Sequence, residues 1–480
     1  MAEQKDILIF LSDQHDGRVM GPMGHPVVRT PNLDALADEG TLFENAYTTC
    51  PLCIPARMSL LTGLLPVHTG VYTNRGSIHP EQTTFLHRLA AVGYETVLCG
   101  RMHFEGEDQR HGFTKRIADD ITPTAISGQK PSRFGVFSPT LTEPGSIRII
   151  GGGNSPTLEY DRYVVNAALE YLSQPHEKPQ CIVVGTYAPH FPYVAPPELY
   201  DYYLEKGTLP PTLELPVDSP YRERLRNTES EIVLGAQAAY WGMIEFEDQC
   251  IGQVRQAWTA YLSKNNREGV FVYLSDHGDH AGDRGFYGKQ SLYEAAVRIP
   301  MIFSGSGIAS GSRVSEPVSL LDMAPTICSL AGAAQSEYWD GLALTDALVT
   351  GHAPKHRDII SEWITKPYAK GREYGRMLRR DDWKLISYVD YPQEEALYRP
   401  GEDPWEMRNL AREEQALTAQ LRQAAYENLH PEEIVAAKNR KDEGYLALAA
   451  FNRCCGNLHR EEWTPTAECM IPPETYLCGG

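Results

Sequence analysis

The feature that most constrains the fold of this 480-residue chain is an alternation of short apolar runs with segments whose apolar residues recur at helical spacing. Strands that alternate with helices form largely parallel sheets covered by helices on both faces. We therefore predict an α/β fold. The predicted strands are Ile7–Leu11, Glu95–Cys99, Cys181–Thr186, Val270–Leu274 and Pro300–Phe303. The predicted helices are Asn32–Glu39, Thr84–Val92, Tyr163–Leu172, Glu231–Tyr261 and Val318–Ala331.

The pattern changes near residue 365, from alternating strands and helices to a hairpin followed by helices. The chain is longer than a single hydrophobic core usually supports, so a second unit is expected. We predict a large domain over residues 1–365 and a small α+β domain over residues 366–480 that ends in an irregular tail. Its expected elements are a hairpin of Tyr374–Arg380 and Trp383–Val389 turning at Asp381–Asp382, then helices Glu413–Ala425 and Pro431–Ala450.

Polar residues follow four of the predicted strands at the point where each strand ends. Asp13, His103, His190 and Asp276 come after the first, second, third and fourth strands, respectively. In parallel sheets, ligands bind beyond the carboxyl ends of the strands. We therefore expect these four segments, which are distant in sequence, to converge on one edge of the sheet.

The formal charge of −19 argues against general nucleic-acid binding, although a small basic pocket on an acidic protein can still bind an anionic substrate. The first residues, MAEQKDILIFLSD, contain no apolar core of a signal peptide. No apolar stretch is long enough to cross a bilayer. These features predict a cytoplasmic protein that does not bind membranes.

Ten cysteines are spread along the chain. Cys99 and Cys181 lie inside apolar runs and are interpreted as reduced core thiols. The tail cysteines allow two interpretations, a zinc site or unpaired thiols, and the adjacency of two of them is poor spacing for zinc. These tail residues are Cys454, Cys455, Cys469 and Cys478.

The segment CIPARMSLLTG, residues 53–63, matches the pattern C-x-P-x-R-x-x-x-L-T-G at every fixed position. In this it resembles the type I sulfatases. The resemblance implies that a maturase oxidises Cys53 to formylglycine, whose hydrated aldehyde attacks sulfur with one hydroxyl and expels sulfate with the other. It also implies that Arg57 holds the formylglycine oxygens. The alternative interpretation is a structural Cys–Pro–Arg turn that leads into a helix.

Two strand ends resemble the family's metal-binding segments. Asp13 and Gln14 lie in SDQ, and Asp276 and His277 lie in SDHG. The resemblance implies that these four residues bind a divalent cation, with Ca²⁺ expected first and Mg²⁺ or Mn²⁺ as alternatives. The family more often has Asp at the position of Gln14 and Asn at that of His277. An isolated Asp at a strand end is otherwise a cap or turn residue.

Three further segments resemble the family's cationic site residues. GRMHF has Arg101 in place of the usual Lys, and its His103 would assist the second hydroxyl during sulfate release. YAPHFPY supplies His190 as the general acid. GKQSLYEAAVRIP supplies Lys289, which would bind a sulfate oxygen and the bridging oxygen. Arg101 would contact the substrate with a different geometry from Lys.

The resemblance extends from Ile7 to RMLRRDDWKLI and EDPWEMRNLA, and its motifs are most similar to choline sulfatases and phosphonate monoester hydrolases. It implies an alkaline-phosphatase-like fold with a smaller C-terminal subdomain. The expected partners are a small sulfate ester and the maturase, and a homo-oligomer is allowed. The alternatives are a phosphonate monoester or phosphodiester hydrolase with the same site, and a non-catalytic homologue that binds an anion.

The substrate is predicted to be a sulfated sugar or another polar organic sulfate instead of choline sulfate. A quaternary ammonium is usually held by an aromatic cage. The stretch Ile121–Asn154 contains no Trp, and its aromatic residues are Phe134 and Phe137, accompanied by Arg133 and Arg148. Two further candidates for substrate contact, or simply for a turn before Gly76, are Asn74 and Arg75.

Overall fold

The computed structural model describes residues 4–106, 108–122, 146–216, 226–364 and 374–455. A mixed eight-stranded sheet lies at its centre. Five neighbouring strands are parallel to one another, and the strand Asp6–Asp13 lies between Gly269–Ser275 and Gln180–Pro189. In spatial order the strands are Ser312–Val314, Gly40–Phe43, Met301–Gly305, Gly269–Ser275, Asp6–Asp13, Gln180–Pro189, Glu95–Gly100 and Lys115–Ala118.

The strand Met301–Gly305 runs antiparallel to both of its neighbours. A parallel connection needs a crossover over the face of the sheet, usually a helix. The chain between Ser275 and Met301 instead stays at the carboxyl edge, where it contributes His277 and Lys289 to the site described below. The following strand therefore returns in the opposite direction.

Helices cover both faces of the sheet, because successive side chains of a strand point to opposite sides. Leu8 and Phe10 face a core built with the helices Pro156–Ser173 and Ser230–Lys264. Ile7, Ile9 and Leu11 face a second core built with Cys53–Thr62, Phe85–Ala91 and Met323–Leu330. The other α-helices of the described residues are Pro31–Asp38, Pro66–Thr69, Pro197–Leu204, Glu294–Val297, Thr345–Thr350, Gln415–Ala425 and Pro431–Cys455. Within the described ranges, no helix is both long and apolar enough to cross a bilayer.

The predicted helix Val318–Ala331 is wrong over its first five residues. Val318–Ser319 is a short strand, and the α-helix begins at Met323. The backbone N–H of Ser319 donates to Asp322 Oδ2 at 2.9 Å, and the Ser319 hydroxyl accepts from Leu321 N. This capping box fixes a 3₁₀ turn at residues 320–322 that separates strand from helix.

A second, four-stranded antiparallel sheet follows the first in the chain. The predicted hairpin is confirmed as Tyr374–Arg380 and Trp383–Tyr388, and the tip residue Asp381 has a φ of 48°. Ile359–Ile364 and Ala396–Tyr398 complete this sheet, and neither was predicted. The proposed boundary between residues 1–365 and 366–480 falls within 365–373, outside the described residues, and stays a prediction. The described residues also form a three-stranded sheet of Arg298–Ile299, Ala46–Tyr47 and Val318–Ser319. A further pair of strands is Ile150–Gly152 and Tyr193–Ala195.

A buried ion cluster joins this second sheet to the segment that carries the site. Lys384, on the hairpin, binds Glu294 Oε1 at 2.8 Å and Glu406 Oε1 at 2.7 Å. The backbone N–H of Glu294 also donates to Glu406 Oε2 at 2.8 Å. The side chains of Lys384 and Glu294 are fully buried. The contact fixes Glu294, five residues beyond Lys289, against the second sheet.

Candidate active site

The strand ends converge as predicted. Asp13 ends the central strand, and Asp276 follows Gly269–Ser275. His103 and His190 follow the next strands on the other side, and both lie close enough to Cys53 to affect the pKa of its thiol. All of these residues except His103 are buried. The edge of the sheet therefore gathers the residues that the sequence places far apart.

Cys53 is the first residue of the helix Cys53–Thr62 and is 1% exposed. The first N–H groups of a helix have no partner within it. Here the N–H of Ile54 donates to Asn74 Oδ1 at 2.9 Å, so Asn74 stabilises the turn that presents Cys53 to the strand ends. The helix ends at Thr62, and the next residue, Gly63, has a φ of 69°, the left-handed conformation that favours glycine.

Arg57 lies one helical turn beyond Cys53 and joins the two aspartates. Its Nε donates to Asp276 Oδ2 at 2.8 Å and its Nη2 to Asp13 Oδ2 at 3.0 Å. Arg101 Nε donates to the same oxygen of Asp13 at 2.6 Å. We call Arg57, Arg101, Asp13 and Asp276 the arginine–aspartate quartet. Burial would raise the pKa of Asp13, as does Cys53, but Arg101, His190 and Arg57 together hold it below its ordinary value.

The atoms that the quartet leaves free form a donor set for a cation. His277 Nε2 lies 3.6 Å from Asp276 Oδ1, 3.9 Å from Asp13 Oδ1 and 3.1 Å from Cys53 Sγ. One ligand atom from each of these four buried residues lies within 4.8 Å of the others. His277 Nδ1 donates to Gly278 O at 3.1 Å, which leaves the lone pair on Nε2. Two carboxylates and one imidazole nitrogen suit a divalent cation.

Gln14 lies beside this donor set. Its Nε2 donates to Asp279 Oδ2, and its Oε1 accepts from Lys289 Nζ. Lys289 Nζ also lies 2.6 Å from His190 Nε2. Because an ammonium only donates, His190 Nε2 is the acceptor, and His190 Nδ1–H donates to Phe191 O at 2.7 Å. Burial and the neighbouring Lys289 lower the pKa of His190.

The surroundings of Cys53 are strongly cationic. Burial would raise the pKa of its thiol, but Lys289 and His277, together with the neighbouring His103 and His190, hold that pKa well below its ordinary value. An anion at position 53 is therefore stabilised by this site, which is the property that a nucleophile or an anionic ester needs.

Arg101 has all of its guanidinium nitrogens engaged within the protein. Beyond Asp13, its Nη1 donates to Thr122 Oγ1 at 2.9 Å, and its Nη2 donates to His103 Nδ1 at 2.8 Å. The geometry makes Arg101 part of the frame around His103, and its predicted contact with substrate stays a prediction. Arg75 lies farther out, with its Cζ 5.3 Å from the ring centroid of Tyr445 on the last helix.

Two acidic residues that sequence reasoning missed complete the site. Asp120 Oδ2 accepts from the backbone N–H of His103 at 2.7 Å and of Met102 at 3.2 Å. Asp279 accepts from the side chain of Gln14. Asp120 closely follows the edge strand Lys115–Ala118, so predicting that strand would have found it by the strand-end rule. Asp279 follows SDHG directly, where an acidic residue gives no separate signal.

Several sequence predictions fall wholly or partly outside the described residues. Arg133, Phe134 and Phe137, which bear on the substrate, lie within 123–145, while Arg148 is described. Cys469 and Cys478 also lie outside. Cys99 and Cys181 are free and buried, as predicted, and Cys454 is free and exposed.

Two family descriptions match the chain. Sulfatase matches residues 5–333, and the description "N-sulphoglucosamine sulphohydrolase, C-terminal" matches residues 282–430. Among curated proteins, the choline-sulfatase of Rhizobium meliloti (strain 1021) is 31% identical over 441 residues, covering 85% of this chain and 82% of that protein. Arylsulfatase K of Mus musculus is 28% identical over 455 residues, with 87% and 78% covered.

Solved structures share the fold. A protein in complex with its substrate D-glucosamine-2-N,6-O-disulfate superposes with a TM-score of 0.69 at 21% identity, covering 92% of this chain and 99% of that one. The phosphonate monoester hydrolase of Agrobacterium radiobacter superposes with a TM-score of 0.68 at 19% identity, with 91% and 96% covered. The predicted alkaline-phosphatase-like fold, with an additional antiparallel sheet, is thereby confirmed.

Proposed function

Because this chain belongs to the sulfatase family, and is therefore a sulfuric ester hydrolase, we propose that it cleaves the sulfate ester of a sugar or another small polar alcohol. The nucleophile would be a formylglycine made from Cys53 by a maturase. The observation that carries this proposal is the setting of Cys53, which is buried at a helix start between the cation donor set and Lys289, His103 and His190.

The Cys53 thiol of the structure stands for the hydroxyl oxygens of hydrated formylglycine. A hydrated aldehyde supplies one hydroxyl to attack sulfur and a second to release sulfate. Around position 53, His277 Nε2 and Asp13 Oδ1 lie 3.1 Å and 3.9 Å from Sγ. Arg57 donates to both aspartates. We propose that it supports the nucleophile by holding these two carboxylates in place beside position 53.

The proposed cation would be held by Asp13, Gln14, Asp276 and His277, three of which lie in one buried group of ligand atoms with the residue at position 53. Ca²⁺ is expected first, with Mg²⁺ or Mn²⁺ as alternatives, because hard oxygen ligands predominate once position 53 carries oxygen. Such an ion polarises the sulfate and lowers the pKa of a nearby hydroxyl.

His190 and Lys289 are proposed to serve the leaving oxygen. Their side chains are in contact at 2.6 Å, so one proton donor and one acceptor lie together beside position 53. Lys289 would neutralise the sulfate, and His190, once protonated at Nε2, would pass that proton to the departing alcohol. His103, held by Arg101 and Asp120, is proposed to assist sulfate release.

The test begins with mass spectrometry of the peptide that contains Cys53, after co-expression with a maturase. We expect the aldehyde in this peptide and turnover of aryl sulfate esters. Cys53→Ala should abolish turnover and keep the unfolding temperature, whereas Cys50→Ala, a buried neighbouring thiol outside the donor set, should retain turnover. Full activity of Cys53→Ala would reject the proposal.

A phosphonate monoester or phosphodiester is the alternative substrate class, because both esters present a tetrahedral anion to the same site. Matched nitrophenyl sulfate and phenylphosphonate esters should be compared by kcat/KM on one enzyme preparation. A higher value for the sulfate supports the proposal, and a higher value for the phosphonate would assign the alternative. The homo-oligomer stays a prediction.

A further inference from the structure

The strand Gln180–Pro189, which leads into the segment of the proposed general acid, departs from its neighbour just before it ends. Leu11 of the central strand pairs with Gly185. The next pair is Asp13 with Pro189, so the outer strand takes four residue steps where the central strand takes two. A stretch that bulges in this way loses part of its ladder of backbone hydrogen bonds. Backbone N–H groups of this stretch therefore need partners outside the regular ladder.

Asp161, on the helix Pro156–Ser173, supplies two of these partners. Its Oδ1 accepts from the backbone N–H of Tyr187 at 2.6 Å, and its Oδ2 accepts from that of Ala188 at 2.8 Å. Asp161 is fully buried. Because each carboxylate oxygen faces one N–H donor, the side chain fixes two successive peptide groups at once. Asp161 thus holds the bulged stretch against the helix.

The stretch held by Asp161 determines where His190 lies. The backbone N–H of His190 donates to Tyr187 O at 3.0 Å, which closes a turn over Ala188 and Pro189. The Tyr187 ring also packs on the imidazole, with ring centroids 4.7 Å apart. Tyr187 is therefore bound to Asp161 through its N–H, and it contacts His190 through both its carbonyl oxygen and its ring.

We propose that Asp161 is a positioning residue that acts through Tyr187 to direct His190 toward the leaving oxygen. This inference rests on the proposed function, in which His190 passes a proton to the departing alcohol. The imidazole donates from Nδ1 to Phe191 O and presents Nε2 to Lys289, and both contacts depend on the turn that Asp161 holds. A general acid must lie within hydrogen-bond distance of the leaving oxygen, so a displacement of about 1 Å is costly to the reaction.

A second buried aspartate provides a matched control. Asp248, on the helix Ser230–Lys264, is also fully buried, and its two oxygens accept from the backbone N–H groups of Leu33 at 2.8 Å and Asn32 at 3.1 Å. These two residues lie in the first turn of the helix Pro31–Asp38, which carries none of the proposed catalytic residues. Asp248→Asn therefore perturbs a similar pair of contacts elsewhere in the fold.

The experiment compares the matured wild type with Asp161→Asn, Asp248→Asn, His190→Ala and the double variant Asp161→Asn/His190→Ala. Asp161→Asn replaces one acceptor by an NH₂ group that faces a backbone N–H, with little change in size. For each protein, kcat and KM are measured for aryl sulfate esters that range from good to poor leaving groups, together with bound metal per chain. The NMR signal of the His190 imidazole, assigned with His190→Ala on protein carrying isotope-labelled histidine, reports on its placement without any substrate.

We expect Asp161→Asn to lose about 10- to 100-fold in kcat for poor leaving groups and less than about 3-fold for nitrophenyl sulfate, with bound metal unchanged. In the His190→Ala background the same change should cost less than about 2-fold, because its effect passes through His190. The His190 signal should shift in Asp161→Asn and stay unchanged in Asp248→Asn.

An unchanged His190 signal in Asp161→Asn would overturn the inference. So would losses by Asp161→Asn that are equal for good and poor leaving groups, where those of His190→Ala are unequal. If His190→Ala itself shows no dependence on the leaving group, the proposed role of His190 is rejected, and the NMR signal still decides whether Asp161 places the imidazole.

Tyr187→Leu tests the same path if Asp161→Asn does not fold. This variant keeps the backbone contacts of Asp161 and removes the ring from His190, so its losses should also be larger for poor leaving groups. The Tyr187 ring also faces Arg101, at 4.7 Å from Cζ. Because Arg101 holds His103, a disturbance on that side would slow all esters alike, and equal losses in Tyr187→Leu would contradict the inference.

Discussion

At the scale of single residues, the two carboxylate oxygens of each aspartate in the arginine–aspartate quartet make different contacts. Oδ2 binds a guanidinium, and Oδ1 faces His277. Asp13→Asn should therefore lose the proposed ion, measured as metal per chain by elemental analysis, together with most activity. Asp16→Asn is the matched control, because Asp16 is a buried carboxylate of the same segment that binds Arg18. Retention of a full equivalent of metal by Asp13→Asn would remove Asp13 from the ligand set.

Asp120 gives the site a dependence on pH that can be assigned a sign. Burial would raise its pKa, but Arg101 and His103 lower it to about 2. A carboxyl whose pKa is depressed by folding stabilises the protein above its unfolded pKa, near 4, and this stabilisation is lost as the pH falls toward 2. The contribution at neutral pH is about 2 kcal/mol. The free energy of unfolding of wild type should exceed that of Asp120→Asn at pH 7, with a gap that narrows below pH 4. A gap independent of pH would contradict this role.

The residues of the site were predictable where they end strands or lie in the CIPARMSLLTG segment. Cys53, Asp13 and Asp276 needed only the motif and the strand-end rule. The contacts of Arg101 and Gln14 were not predictable, because they depend on Asp120 and Asp279, whose approach is set by loops. Residue type alone does not reveal whether the hydrogen-bonding atoms of a polar side chain are already bound to other residues of the protein.

At the scale of elements, the buried ion cluster couples the second sheet to the segment that carries Lys289. Removing one partner of a buried ion cluster leaves uncompensated charge and costs about 3–5 kcal/mol. Lys384→Met should therefore lower the free energy of unfolding by about this amount, measured in denaturant. The triple variant Lys384→Met/Glu294→Gln/Glu406→Gln removes the lysine and both carboxylates that it binds, although Arg298 then loses its contact with Glu294, and it should recover part of the loss. A change below about 1 kcal/mol in Lys384→Met would show that the cluster behaves like an exposed ion pair.

The elements themselves were predicted best where they are long and periodic. The strand Asp6–Asp13 and the helix Ser230–Lys264 were found within a few residues of their ends, because burial on both faces or along one stripe leaves a continuous apolar pattern. Short strands such as Ala396–Tyr398 were missed, because three residues carry no periodicity. The turn before Met323 was missed because its capping box depends on side-chain hydrogen bonds.

At the scale of the whole molecule, the similarity to a choline-sulfatase sets a direct test of substrate class. Choline sulfate carries a quaternary ammonium, whereas the stretch Ile121–Asn154 offers no Trp for an aromatic cage. We expect kcat/KM for at least one sulfated monosaccharide to exceed that for choline sulfate by 10-fold or more, about 1.4 kcal/mol in transition-state binding. Nitrophenyl sulfate serves as the control for maturation. A preference for choline sulfate would contradict the proposed substrate class.

The two guanidinium groups of the quartet also affect the order in which the molecule is assembled. In a site made of carboxylates alone, the negative charges repel one another until a cation binds. Folding and cation binding are then coupled. Here Arg57 and Arg101 cancel the charges of Asp13 and Asp276 from within the polypeptide. The chain can therefore complete its fold first and acquire the proposed ion afterwards. The ion then adds stability only by mass action, in proportion to the logarithm of its concentration over its dissociation constant.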